Sequence, residues 1–451
     1  MRKRIRLLVA LFILINFIIV PSPSFQVFAE QTADEEFQPE DITPLKDLFA
    51  DYFYIGAAVE PQHLIREFGQ MLEYHYNMIV AENVMKPESI IQSKEDLEAG
   101  NFNWTNADIL FDYAEKHGMK MRYHTLVWHN QTPNWFFLDE DGNEMIDETD
   151  PEKREANKEL LLERMRKYIT AVVERYKGRV EAWDVVNEVM ADDEGNGDGL
   201  RESKWLQITG TDYIEEAFKL VRELDPDAKL VINDYNTHIP SKRDYLYDLI
   251  VDLQEKGTPI DGVGHQTHIS ISYPAIHEIG ESIEKFASLG LDNEITELDL
   301  SIYSNDSEFY DSFDEIPEFK LERQARKYED LFEEFKRLHE HISSVVFWGI
   351  ADIHTWKHNF PVEGRTDAPF VFDENFKAKP AYYAIAGIEP DEEALSEEET
   401  DIEKEVENTT STEADDEVAN TRDGYIWIAL AVFILLAGTI VIFILKRNKN
   451  K

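Results

Sequence analysis

The chain has 451 residues, 43% of them hydrophobic, which is enough for a sizeable core and more than one ordinary domain requires. It holds no cysteine, which excludes disulfide, zinc-thiolate and thiol-nucleophile chemistry. With 91 acidic against 45 basic side chains the formal net charge is −46, so nucleic acid is excluded as a partner because phosphate would be repelled.

In chain order, residues 1–29 read as a signal peptide. Arg2, Lys3, Arg4 and Arg6 form a basic start, residues 7–20 an apolar run, and Val27-Phe28-Ala29 a small-residue cleavage site. Residues 30–388 form the expected folded domain, in which short β-type runs alternate with helical ones. The predicted strands are Tyr54–Val59, Met78–Ala81, Lys120–His124, Ala182–Val186, Lys229–Ile232, Gly262–Gly264, Glu294–Thr296 and Val345–Phe347. Between them the spacing turns helical. In Lys158–Lys177, Leu161, Leu162, Met165, Ile169, Val172, Val173 and Tyr176 recur every three or four residues, and the helices Asn106–His117 and Ser241–Lys256 stop at Gly118 and Gly257.

Residues 389–424 read as an acidic disordered linker, since 389–423 hold 16 acidic and two basic side chains and few large apolar ones. Residues 425–445 carry no charge and, at ~1.5 Å per residue, would span about 31 Å, the depth of a bilayer core. They predict one C-terminal transmembrane helix, followed by a basic cytoplasmic tail, 446–451. The expected localisation is secreted and membrane-anchored at the cell surface, with the membrane as a partner through that helix.

Eight strands alternating with helices predict an α/β protein, either a (β/α)8 TIM barrel or a doubly wound sheet. The strand ends favour the barrel. Glu82-Asn83, Trp128-His129, Asn187-Glu188, Asp234-Tyr235-Asn236, Gln266 with His268, Glu297 with Asp299, and Trp348 follow nearly every strand. A barrel gathers such residues on one face, whereas a doubly wound sheet concentrates them at one switch point. No glycine-rich phosphate loop follows any strand.

Trp183-Asp184-Val185-Val186-Asn187-Glu188 and Glu294-Ile295-Thr296-Glu297-Leu298-Asp299 are β-rich runs that lead into carboxylates. A buried strand has little reason to end on an ionisable group unless that group works there. Two carboxylates on different strands of one domain are what glycosidic cleavage needs, one to protonate the leaving oxygen and one to act on the opposite sugar face. By themselves His124, Trp128 and His129 suit a barrel filling as well as a site. The pairs His265/His268 and His354/His358 lack a third placed ligand, so no metal and no cofactor is expected.

Ala81-Glu82-Asn83-Val84-Met85-Lys86, His124-Thr125-Leu126-Val127-Trp128-His129, Asp184–Glu188, Gln266-Thr267-His268, Ile295–Asp299 and Phe347-Trp348-Gly349 occur in that order. Together they resemble the endo-1,4-β-xylanases of glycoside hydrolase family 10, across essentially all of residues 40–388. The resemblance implies a (β/α)8 fold and endo-acting, retaining hydrolysis, with xylan and xylo-oligosaccharides as binding partners and no protein partner indicated. It implies Glu188 as acid/base and Glu297 as nucleophile, with Asn187, His268 and Asp299 in support. The roles then require opposite protonation states, Glu188 raised in pKa by burial and by the charge of Glu297, and Glu297 kept ionised by donors such as His268. The same resemblance carries over Glu82, Asn83, Lys86, His124, Trp128, His129, Gln131, Tyr235, Gln266, Trp348 and Trp356 as substrate contacts. Tyr235, Trp348 and Trp356 would offer apolar ring faces to pyranose C–H groups. Two departures stand out: Pro87 follows Lys86 where tryptophan is also common, and Ile271–Ile276 matches the family poorly.

Overall fold

Short aliphatic runs flanked by turns form eight strands in a computed structural model that describes residue 37 and residues 39–389 other than 194 and 196. They are β1 (Tyr54–Val59), β2 (Met78–Ala81), β3 (Lys120–Tyr123), β4 (Ala182–Asn187), β5 (Lys229–Asp234), β6 (Gly262–His265), β7 (Asp292–Ser301) and β8 (Ile342–Phe347). Each pairs in parallel with the next, and β8 pairs with both β7 and β1, so the sheet closes into a barrel. The sequence-based strand positions hold, but several strands run further than their apolar cores. β7, expected over Glu294–Thr296, begins two residues earlier, runs five residues further, and carries Glu297 and Asp299 inside the strand rather than beyond it. Polar side chains lining a barrel interior break an apolar pattern without ending the ladder.

Two strands break and resume. Val127–Trp128 continues β3 alongside β4, and His268–Ser270 continues β6 alongside β7, with His268 directly opposite Asp299. The resumed pieces bring Trp128 and His268 to the mouth.

Among the described residues, the main helices on the outside are α1 (Arg66–His75), α2 (Thr105–His117), α3 (Pro151–Tyr176), α4 (Asp212–Leu224), α5 (Pro240–Glu255), α6 (Ile276–Ala287), α7 (Glu318–Arg337) and α8 (Pro380–Ala386). The start of α3 shows why. Asp150 accepts from the backbone N–H groups of Glu152 and Lys153, and Pro151 takes the first position, where its missing N–H costs nothing. Its periodic face, Leu161, Leu162, Met165, Ile169, Val172, Val173 and Tyr176, is fully buried against the barrel. At the far end of α2, Gly118 adopts φ +67°, a left-handed stop that other residues resist.

The main aliphatic core lies between strands and helices, and the barrel's interior combines a small apolar cluster, Ala58, Met78, Val80 and Val346 with Trp348, with buried polar groups. On the barrel floor Arg122 reaches from β3 to Asp184 on β4 and Glu294 on β7, while Lys229 on β5 pairs with Glu294 at 3.1 Å and with Asp292. Ser344 donates to Glu294 at 3.2 Å. Arg122, Asp184, Glu294 and Ser344 are almost wholly buried, Lys229 and Asp292 are partly exposed, and every charge has an opposite partner. Beside the barrel, Glu40 accepts from the Ala378 backbone N–H at 2.6 Å, Tyr382 donates to the Thr43 carbonyl, and Phe37 meets Phe376 edge-on.

Among the described residues, no helix is long and apolar enough to cross a membrane. The expected transmembrane helix, and with it the membrane partner and the secreted, membrane-anchored localisation, is corrected on this finding. The segments that suggested it, 1–29 and 425–445, lie outside the described residues. An uncharged run of the right length meets a necessary condition for spanning a bilayer and does not by itself supply a helix.

Candidate active site

At the C-terminal ends of the strands a cleft of about 780 Å³ opens. Fifteen of the sixteen expected site residues line it: Glu82, Asn83, Lys86, His124, Trp128, His129, Gln131, Asn187, Glu188, Tyr235, Gln266, His268, Glu297, Trp348 and Trp356. The sixteenth, Asp299, stands one layer behind, bonded to His268 Nδ1 at 2.8 Å and accepting from Trp356 Nε1 at 2.8 Å.

Glu297 sits in β7 with three neighbours that favour its charged form. Asn233 Nδ2 donates to Oε1 at 2.8 Å, His268 Nε2 lies 3.2 Å from Oε2, and His124 Nδ1 lies 4.0 Å from Oε1. Burial alone would raise its pKa, but the His268 bond and the histidine charges outweigh it and hold the carboxyl below its usual value. For His268 burial works downward, and the charge of Asp299 and its bond, aided by Glu297, overcome it and raise the imidazole to about 9.

Glu188 is set the other way. Its backbone takes φ +56°, a conformation costly for a residue with a side chain, and is held there by three bonds. Its N–H donates to the Asn233 carbonyl at 2.8 Å, its carbonyl accepts from Arg201 Nε at 2.9 Å, and its Oε1 accepts from Gln266 Nε2 at 3.2 Å. Burial first, then the charge of Asp234 and more weakly that of Glu297, push its pKa up. Burial and the charge of Glu297 were the expected causes; both act, and Asp234, which was not expected, acts more strongly than Glu297.

Around this pair, Asn187 Oδ1 accepts from Asn233 Nδ2 at 2.8 Å, while its own Nδ2 is buried and lacks a hydrogen-bond partner. A buried amide donor left open in a cleft is suited to an incoming hydroxyl. Glu82 is held by His354 Nε2 at 3.2 Å, and Asn83 Oδ1 accepts from Lys86 Nζ at 3.1 Å and Gln131 Nε2 at 3.4 Å. Lys86 stands 4.9 Å over the Trp128 ring. His129, lowered to about 4 chiefly by burial and then by the Arg201 charge, is neutral beside Glu188. Tyr235 accepts from Arg201 Nη2 at 2.6 Å and donates to Asp192 at 2.7 Å, so the loop after β4 is tied to the loop after β5.

Three contributors were not among the expected site residues. Asn233 bridges Asn187 and Glu297; a polar residue at an inward position of a wholly buried strand was the available signal. Arg201 and Lys357 come from loops with no local pattern, and only the fold brings them to the cleft.

A barrel whose mouth holds one raised and one lowered carboxyl, among open hydrogen-bond groups and tryptophan faces, defines a glycoside hydrolase. The profile of glycosyl hydrolase family 10 matches residues 44–388, and the chain belongs to that family. It is 54% identical over 376 residues to an endo-1,4-beta-xylanase A of Halalkalibacterium halodurans, covering 80% of this chain and 91% of that one. It is 50% identical to a thermostable celloxylanase of Thermoclostridium stercorarium, covering 83% and 94%. The crystal structure of xylanase B from Clostridium stercorarium F9 superposes with a TM-score of 0.73 at 53% identity, covering 76% of this chain and 99% of that one.

Proposed function

We propose that the chain, through a catalytic domain at 30–388, is an endo-1,4-β-xylanase that cleaves internal bonds of xylan with retention. The observation that carries this reading is the opposite tuning of the two cleft carboxyls, Glu188 raised and Glu297 lowered. In this reading Glu297 attacks the anomeric carbon while Glu188 gives its proton to the departing glycosidic oxygen. The bond to the leaving sugar breaks and a glycosyl ester on Glu297 forms. Glu188, now a carboxylate, takes a proton from water as that water's oxygen attacks the same carbon and frees Glu297. Asn187 gives its open N–H to a hydroxyl of the sugar under attack. Glu82, Asn83, Lys86 and Gln131 hold hydroxyls on one side of the scissile bond and Tyr235 faces the sugar on the other. Lining on both sides supports internal cleavage.

Product analysis tests this. Wild type is expected to release short xylo-oligosaccharides from xylan with the β-anomer formed first by NMR, and Glu297→Ala to release none. An α-anomer as first product would overturn retention. A second reading, activity on β-1,4-glucans as well, is favoured by the 50% identity to a celloxylanase. Initial rates on xylan and carboxymethylcellulose separate the two.

A further inference from the structure

Glu188 stands at the head of a hairpin-like loop, and the far arm of that loop returns to grip it. Met190 and Leu200 pair antiparallel. Ala191 N–H donates to the Gly199 carbonyl at 2.8 Å, and Arg201 N–H donates to the Val189 carbonyl at 2.9 Å. This pairing carries the Arg201 side chain back over the turn at Glu188, whose φ of +56° a residue with a side chain seldom adopts.

The guanidinium then bonds in two directions. On the turn, Nε donates to the Glu188 carbonyl at 2.9 Å and Nη2 to the Met190 carbonyl at 3.0 Å. Along the cleft wall, Nη2 also donates to the Tyr235 hydroxyl at 2.6 Å, and that hydroxyl donates to Asp192 at 2.7 Å. A second route joins the same two places. Buried Lys242 holds its Nζ 3.6 Å from the Tyr235 ring centre and 2.9 Å from Asp234. Asp234 in turn accepts from the Met190 N–H at 3.0 Å. The Tyr235 ring and the Glu188 turn are therefore fixed to one another twice.

In the reading above, Tyr235 faces the leaving sugar and Glu188 protonates the oxygen of that sugar. A proton passes only when the oxygen and the carboxyl meet within hydrogen-bond reach. We propose that Arg201 is a positioning residue that keeps Glu188 and Tyr235 in register, so that a sugar seated on the ring presents its oxygen to the acid. The proposal rests on the xylanase reading and deepens it, giving the leaving-sugar side a part in proton transfer as well as in binding. A guanidinium suits the task because its planar fork donates along several fixed directions, which a lysine ammonium does not.

Two substrates test it: xylotetraose, whose leaving group is a sugar with a basic oxygen, and a dinitrophenyl xylobioside, whose leaving group needs no proton. Arg201→Gln is expected to lower kcat/KM on xylotetraose about 10- to 100-fold, the scale of one or two charge-assisted hydrogen bonds, and on the aryl glycoside far less. Arg201→Lys, which keeps the charge without the fork, is expected to recover little of that loss. Tyr235→Phe keeps the ring and removes only the hydroxyl. It too is expected to lose selectively on xylotetraose, and combining it with Arg201→Gln should cost less than the two losses multiplied. Equal losses on both substrates would mark a merely structural role and overturn the proposal. Full recovery in Arg201→Lys, or independent losses in the double variant, also overturns it. Should Arg201→Gln fail to fold, an equal loss on both substrates in Tyr235→Phe suffices to overturn it. Wild type that leaves xylotetraose intact refutes the xylanase reading instead.

Discussion

The floor and the mouth of the barrel are both lined with buried charge, and they treat it in opposite ways. On the floor Arg122, Asp184, Glu294, Lys229 and Asp292 satisfy one another in ion pairs, and Asp184 also bonds His124 Nδ1 at 3.1 Å. At the mouth, an arm's length along the same strands, Asn187 Nδ2 and His129 Nδ1 are buried without partners, and Glu188 keeps a strained backbone. Closed networks hold a barrel together, and open ones wait for a ligand. Strands β4 and β7 contribute to both, Asp184 and Glu294 below, Asn187 and Glu297 above.

Breaking each region should therefore read out differently. The largest effect is expected from Glu188→Ala, which should lower kcat on xylan by roughly 10²–10⁴-fold while aryl glycosides with good leaving groups lose far less, because only a basic leaving oxygen needs a proton. Equal losses on both substrates would take the acid role away from Glu188. Arg122→Met should act on the fold instead. It leaves Asp184 and Glu294 buried with one cation fewer, a cost of about 3–5 kcal/mol visible in denaturant or thermal unfolding, with kcat of the folded fraction little altered. A kcat loss without a stability loss would erase the distinction between floor and mouth. Asn187→Ala is the converse: roughly 10²-fold in kcat, the scale of a transition-state hydrogen bond, with little change in melting temperature.

His268→Gln sharpens the contrast most finely, through pH. His268 holds Glu297 below its usual range, so its removal lets that pKa rise, and the acid limb of the kcat/KM profile should move to higher pH. Stability should respond too. The His268 pKa is raised from 6.5 to about 9 by folding, so its stabilising contribution is full below about 6.5 and is lost as pH climbs through 9. The variant should flatten that part of the curve of melting temperature against pH. An unmoved acid limb would show that Asn233 and His124 alone keep Glu297 ionised.

The strand positions and the carboxylates were legible because both leave local marks: an apolar run, then an ionisable group where none belongs. The sites of Trp128 and His268 were legible only as residues, since the interruption and resumption of β3 and β6 has no pattern of its own. Asp234 illustrates the remainder. It lies just past an expected strand, yet its pull on Glu188 depends on the distance between two adjacent strands, which no linear spacing encodes. Arg201 was invisible for the same reason, being a loop residue whose partners are distant in sequence.

The stitching of Glu40, Thr43 and Phe37 to the segment around α8, together with the pairing of β1 with β8, makes the barrel a ring with a seam. Nothing in a ring marks where the chain must begin. The gene could be re-cut within a helix-to-strand turn on the face away from the cleft, with residues 37 and 388 joined by a short linker, and the permuted chain would meet the same neighbours in the same register. The catalytic mouth, built at the other end of the strands, would keep its geometry in such a permuted chain.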